Sequence, residues 1–306
     1  MSEQAHPATP RWPFAAMLAA LMGAGVGIGL SLSSPGLPGS EALTLEDVVD
    51  AFALITFGVL GAVLIYRDRA PGLGRALVLM GVLESLNYLL GGVADAIAAR
   101  SSGPTAVAQL CSLASQGAFI GAFVLFVLSP LLLFPTGRVP SPRWWWRWPV
   151  GTAVVGAATS ITCVLLAPGP VDEDVPAWGE NPIGLEALGS LVDGVAVAGL
   201  LLLAPGLVAG LAAFATRWVR YTGARRRQMA WFSLGAVTMV IGLTSDLGGG
   251  SLTAEVARAL IIFGTMLVGI GWPLLGPLGR DADPVAPLHQ PAGTDPIVPR
   301  REPAGQ

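Results

Sequence analysis

Apolar residues in this chain fall into long unbroken runs, separated by short connectors punctuated by Gly, Pro and charge. Crossing the hydrocarbon of a bilayer takes about 20 apolar residues in a helix rising ~1.5 Å per residue. Runs of that length cover roughly 13–33, 48–66, 76–97, 110–134, 149–167, 189–215, 230–248 and 256–278. The pattern predicts an all-α fold, a polytopic transmembrane helix bundle of about eight spans. The first run ends in Ser33-Ser34-Pro35-Gly36 without a small-residue cleavage pattern, so it is expected to be a retained span and not a signal peptide. Three regions follow: an N-terminal tail over 1–11, the bundle over 12–279, and a tail over 280–306. That last stretch is rich in Pro, Asp, Gly and Ala and is expected to be disordered.

Arginine sets the expected orientation, because the chain has no lysine. With the N-terminus inside, the inner segments carry Arg11; Arg67, Arg69 and Arg75; Arg138, Arg143 and Arg147; Arg217, Arg220, Arg225, Arg226 and Arg227; then Arg280, Arg300 and Arg301. The outer segments carry only Arg100 and Arg258. Fifteen against two is a strong positive-inside bias, and adding or removing one span destroys it. Trp12, Trp144, Trp145, Trp146, Trp148, Trp218, Trp231 and Trp272 fall near the same inner boundary, where an amphipathic ring sits between headgroups and tails; Trp178 alone falls outside. The expected location is the plasma membrane, multi-pass, with both termini cytoplasmic.

An internal duplication is also suggested. Arg11-Trp12-Pro13 opens the first span and Arg147-Trp148-Pro149 the fifth. Pro35-Gly36 and Pro168-Gly169 follow the respective helices, and the next ones start Val48-Val49-Asp50 and Leu191-Val192-Asp193. Two parallel four-helix repeats, a 4+4 arrangement, would share one orientation.

Composition agrees with a membrane protein and removes whole classes of chemistry. Hydrophobic residues make up 53% and charged ones 12%, against about 25% charged in soluble domains. The net charge of −3 gives no reason to expect a nucleic-acid partner. His6 and His289 lie in the tails, so no intramembrane histidine is on hand to bind metal or haem or to act as a base. Without lysine there is no Schiff base. Motifs for zinc proteases, P-loops and serine-hydrolase elbows are missing. Cys111 and Cys163 are expected to be packing residues, and Gly23, Gly25, Gly27 and Gly29 to form a small-residue packing face. No catalytic residue, metal or cofactor is assigned, and an enzyme is not expected.

Two groups of polar residues stand out. Glu84 falls near the middle of the third run, and Asn87, one turn on, shares its face. A carboxylate at mid-bilayer costs several kcal/mol unless paired or protonated, which makes it a functional candidate; a hydrogen-bonded residue that fixes helix packing is the plainer alternative. Asp50, Asp95, Asp193 and Asp246 lie at the outer ends of spans. If those ends converge they form an anionic vestibule, although carboxylates near helix N-termini are favourable through the helix dipole in any case.

The inner connectors hold the most distinctive strings. Phe134-Pro135-Thr136-Gly137-Arg138 continues as Val139-Pro140-Ser141-Pro142-Arg143-Trp144, and Arg225-Arg226-Arg227-Gln228-Met229-Ala230-Trp231-Phe232 leads into the seventh run. Arg138, Arg225, Arg226 and Arg227 suit either a snorkelling anchor or a docking surface for a cytoplasmic partner. Together with Asn181-Pro182-Ile183-Gly184, these strings resemble, in order and over roughly 130–235, the membrane-embedded N-terminal region of actinobacterial sensor histidine kinases. In that family the last span leads into a helix with a phosphoacceptor His and then an ATP-binding domain. Here His289 lies in Leu288-His289-Gln290-Pro291, which is no helical H-box, so the resemblance carries over no kinase activity and no catalytic residue. It implies a sensor-like membrane protein that relays a signal from the outer face or the bilayer. The expected partners are the lipid bilayer and a cytoplasmic histidine kinase or response regulator, with a homodimer left open. The alternative expectation is a small-solute or ion transporter that uses Glu84.

Overall fold

The computed structural model describes residues 11–34, 45–101, 103–139, 144–172, 175–244 and 260–277. Among them every regular element is helical, apart from one isolated bridge between Pro170 and Glu180. The helices are α1 (Trp12–Ser33), α2 (Leu45–Tyr66), α3 (Pro71–Arg100), α4 (Ala106–Leu133), α5 (Trp144–Leu166), α6 (Gly189–Arg220), α7 (Gly223–Thr244) and α8 (Thr265–Leu275). A π-helical turn, Leu260–Gly264, leads into α8, and two 3-10 turns, Pro176–Trp178 and Glu186–Leu188, lie in the α5–α6 connector.

Local sequence explains the helix ends. Pro13 and Pro71 occupy the first turns of α1 and α3, where a missing N–H costs nothing. Thr105 caps α4 by accepting from the Ala108 N–H at 3.3 Å. Pro130 lies in the last turn of α4, and the helix stops at Leu133.

Among the described residues six helices, α1 to α6, are long and apolar enough to cross a membrane. They make this a multi-pass helical membrane protein. The expected seventh and eighth runs extend over 245–248 and 256–259, which lie outside the described residues, as does the expected tail over 280–306. Large apolar side chains face outward, with Met22 at 65%, Leu201 at 66% and Val219 at 82% exposure. A water-facing surface of this kind is a liability; against lipid it costs nothing.

Helix α3 is the hub. It is packed by α1, α2 and α4, while α5 pairs with α6 against α4, and α7 pairs with α8 against α2. The halves therefore pack differently: α3 has three helical neighbours and its counterpart α7 leans on α8, so the packing lends a 4+4 repeat no support. The largest buried cluster joins Phe57, Leu64, Leu73, Leu77, Phe134, Met229, Phe232 and Ile270, taken from the first half and from α7 and α8 alike. Chain direction alternates, so the α2–α3, α4–α5 and α6–α7 connectors share one end of the bundle, the arginine end. The α3–α4 and α5–α6 connectors share the opposite end.

Candidate functional site

Glu84 lies in the interior of α3, 1% exposed. Its Oε1 accepts a long hydrogen bond, 3.4 Å, from the Asn87 side-chain amide, as the one-turn spacing predicts. Its Oε2 is buried without a hydrogen-bond partner among the described residues. The network continues onto α4, where the Ser115 hydroxyl lies 2.7 Å from Asn87 Oδ1 and 2.9 Å from the Asn87 carbonyl and donates to either. One residue after Glu84, Ser85 donates to the Ala20 carbonyl of α1. Two residues of α3 two positions apart, Ser85 and Asn87, thus fasten it to different neighbours.

Asp50 of α2 lies within Coulombic reach of Glu84. Tertiary packing brings in this second carboxyl, because antiparallel α2 and α3 place the start of one beside the middle of the other. Asp95 is engaged elsewhere, accepting from the Ser31 hydroxyl of α1 at 2.6 Å. The side chain of Asp193 and the whole of Asp246 lie outside the described residues. Of the four outer acids, then, Asp50 lies within Coulombic reach of Glu84 and Asp95 bonds to α1. Among the described residues no three metal-ligating side chains gather, and Cys111 and Cys163 are separate free thiols.

The α5–α6 connector is a folded cap over the ends of α3 and α4. Val171, Val175 and Trp178 bury themselves against Ala94, Ala98, Ala108 and Leu113. Gln109 of α4 donates to the carbonyls of Trp178 and Glu180 at 2.8 and 3.0 Å, and Gln116 donates to that of Val171 at 3.2 Å. Trp178, the one tryptophan assigned to the outer side, is a core residue of this cap, 6% exposed. Asn181 closes the end of α5. Its amide donates to the carbonyls of Leu165 and Ala167 at 3.0 and 2.8 Å, and its Oδ1 accepts from the Ile183 N–H at 3.0 Å. The last carbonyls of a helix lack partners within it, and Asn181 supplies them.

At the arginine end the other two strings meet. Phe134 stacks on Phe232 of α7, ring centroids 4.8 Å apart. Gly137, at φ +71°, presses against the backbone at Ala70, leaving no room for a Cβ. Arg217 of α6, 4% exposed, donates to the carbonyls of Leu131, Leu132 and Arg138 at 3.3, 2.7 and 2.6 Å. Its cation thus faces the negative end of the α4 dipole. Gln228 donates to the Pro273 carbonyl of α8 at 3.0 Å. Arg225 packs over the Tyr221 ring, 5.7 Å from its centroid, whereas Arg138, Arg226 and Arg227 are exposed.

Arg217 and Ser115 were not singled out by sequence. Arg217 had a readable signal: it continues the face Gly206, Gly210 and Ala213, spaced three to four residues apart and buried throughout. Ser115 had none, since a lone serine in an apolar helix is commonplace.

No protein-family model, no curated protein and no solved structure matches this chain.

Proposed function

We propose that this chain is a sensory or signalling membrane subunit that passes a change within the bundle to a separate cytoplasmic partner at its arginine end. In this reading the bundle crosses the plasma membrane eight times, with both termini in the cytoplasm, and a histidine kinase or response regulator receives the signal. The positive-inside rule supports the orientation. The resemblance to the membrane region of sensor kinases supports the partner class.

One observation carries the reading. Arg138, Arg226 and Arg227 are exposed on two segments fixed to the core by the Phe134–Phe232 stack and the Arg217 bonds. A basic surface attached so directly to α4, α6 and α7 moves when those helices move. A mere lipid anchor needs no such coupling, because a flexible arginine reaches headgroups unaided.

The test is affinity capture of the full chain from native membranes in mild detergent, followed by mass spectrometry. A histidine kinase or response regulator that co-purifies with the wild type and is lost from the R138A/R226A/R227A triple variant supports the relay. Recovery of the chain alone, or equal recovery with the variant, overturns it.

A second reading, transport of a small solute or ion, is favoured by the unpartnered oxygen of Glu84 deep in the bundle. Proteoliposomes distinguish the two. Flux that disappears in Glu84→Gln supports transport, and no flux in the wild type excludes it for the solutes tried.

A further inference from the structure

We propose that Glu84 is a proton-binding site enclosed by α1, α2, α3 and α4, and that its second carboxyl oxygen, Oε2, takes up and releases the proton. One O–H bond forms there as one O–H bond of a hydronium ion in the surrounding water breaks, leaving a water molecule; no electrons are transferred. This supplies the stimulus that the relay reading leaves unnamed. It rests on that reading for its physiological meaning alone, since the binding is tested without a partner.

Three observations converge on it. The carboxyl is fully enclosed, yet half of its hydrogen-bonding capacity is unused: Oε1 has only the long bond from Asn87 and Oε2 has none among the described residues. An ionised carboxylate accepts several strong bonds when buried, and leaving them unmade is costly. Protonation removes that demand.

The second observation is that, among the described residues, no cation is placed at the site. Helix α1 brings no titratable side chain, and α2 brings Asp50, with Tyr66 at its far end. The side chains of Glu46 and Asp47 lie outside the described residues. Helix α4 contributes Cys111, one turn beyond Ser115, and α3 itself contributes Tyr88 and Asp95, with Arg75 and Arg100 near its two ends. Arg217, the buried guanidinium, is committed to carbonyls at the arginine end. Asp50 within reach of Glu84 makes a pair of ionised carboxylates still less favourable, so one proton between them relieves two penalties together.

Third, the site is wired through α4 to the connector cap. Ser115 and Gln116 are neighbours on α4: Ser115 holds Asn87 and Gln116 holds the Val171 carbonyl of the connector cap. A proton that changes the Glu84–Asn87 bond changes the load on α4 one residue from the cap. The same helix carries, at its other end, the Phe134–Arg138 loop.

Infrared difference spectra of the full chain in detergent, recorded as pH is raised, read the site directly. A protonated carboxyl in an apolar setting gives a C=O stretch at the high-frequency edge of the carbonyl region, clear of the amide band. The expected result is such a band that bleaches with rising pH in the wild type, is absent in Glu84→Gln, and shifts in Ser115→Ala and Asp50→Asn. Should Glu84→Gln fail to fold, the last two variants keep the carboxyl and must still move the band. A band that persists in Glu84→Gln and vanishes in Asp50→Asn puts the proton on Asp50 and overturns the assignment. So does the absence of any titrating band. A band that answers to sodium chloride at fixed pH, and not to choline chloride, replaces the proton with a metal cation. Loss of partner capture leaves each of these outcomes unchanged, so the two proposals fail separately.

Discussion

Gly27 and Gly25 are two residues apart on the same helix and have opposite obligations. A Cβ at Gly27 collides with the Tyr88 carbonyl of α3, and one at Gly92 collides with Gly27 itself, whereas a Cβ at Gly25 meets open space. Gly27→Leu is therefore expected to destabilise the protein by about 1–3 kcal/mol, the usual cost of overpacking, while Gly25→Leu leaves thermal unfolding in detergent unchanged. Equal shifts for the two variants contradict the α1–α3 geometry. Arg217 is the second such residue. Arg217→Ala strips three carbonyls, that of Leu132 buried and those of Leu131 and Arg138 partly so, of their donor and is expected to cost ~1–3 kcal/mol. Arg217→Lys recovers part of this at most, because a point donor cannot fork across three acceptors. Limited proteolysis of the Phe134–Val139 loop gives an independent readout, with faster cleavage expected in both variants.

At the scale of elements, the strings most distinctive in sequence are devices that finish helices. Asn181 finishes α5, the Phe134–Arg138 segment finishes α4 with the help of Arg217, and Gln228 serves a carbonyl near the end of α8. Membrane helices need such devices because unpaired carbonyls near the bilayer find little water. Asn181→Ala is expected to cost about 0.5–1.5 kcal/mol and to loosen the connector cap. Hydrogen exchange should rise at residues 175–185 and stay level in α1 and α2. Gln109→Ala, which removes the bonds to Trp178 and Glu180, is expected to give the same local pattern. A change spread evenly over the bundle would falsify the view of the cap as a separate unit.

For the whole molecule, alternating chain direction places Arg138, Arg226 and Arg227 at one end and the connector cap at the other. Single cysteines on a background lacking Cys111 and Cys163 test the orientation. Cysteine at Arg227 is expected to react with a membrane-impermeant maleimide only in permeabilised cells, and cysteine at Glu186 in intact ones. The reverse result inverts the molecule and removes the basic surface from any cytoplasmic partner.

Periodicity and length were enough to place the first six helices, since an apolar run of about 20 residues has few alternatives to a membrane helix. The Glu84–Asn87 contact was also legible, because three residues apart on a helix means one face. Charge distribution, too, is a property of the sequence, and it separates the two ends before any packing is known. Which glycines are indispensable, which arginine is buried, and which second carboxyl stands by Glu84 were decided by helix pairing alone. Asp50 and Glu84 are 34 positions apart in the numbering, and local spacing carries no information about contacts at that range. Helices that are apolar on every side have no stripe to announce their neighbours, so their partners are chosen by fit between surfaces, which exists only once the chain has folded.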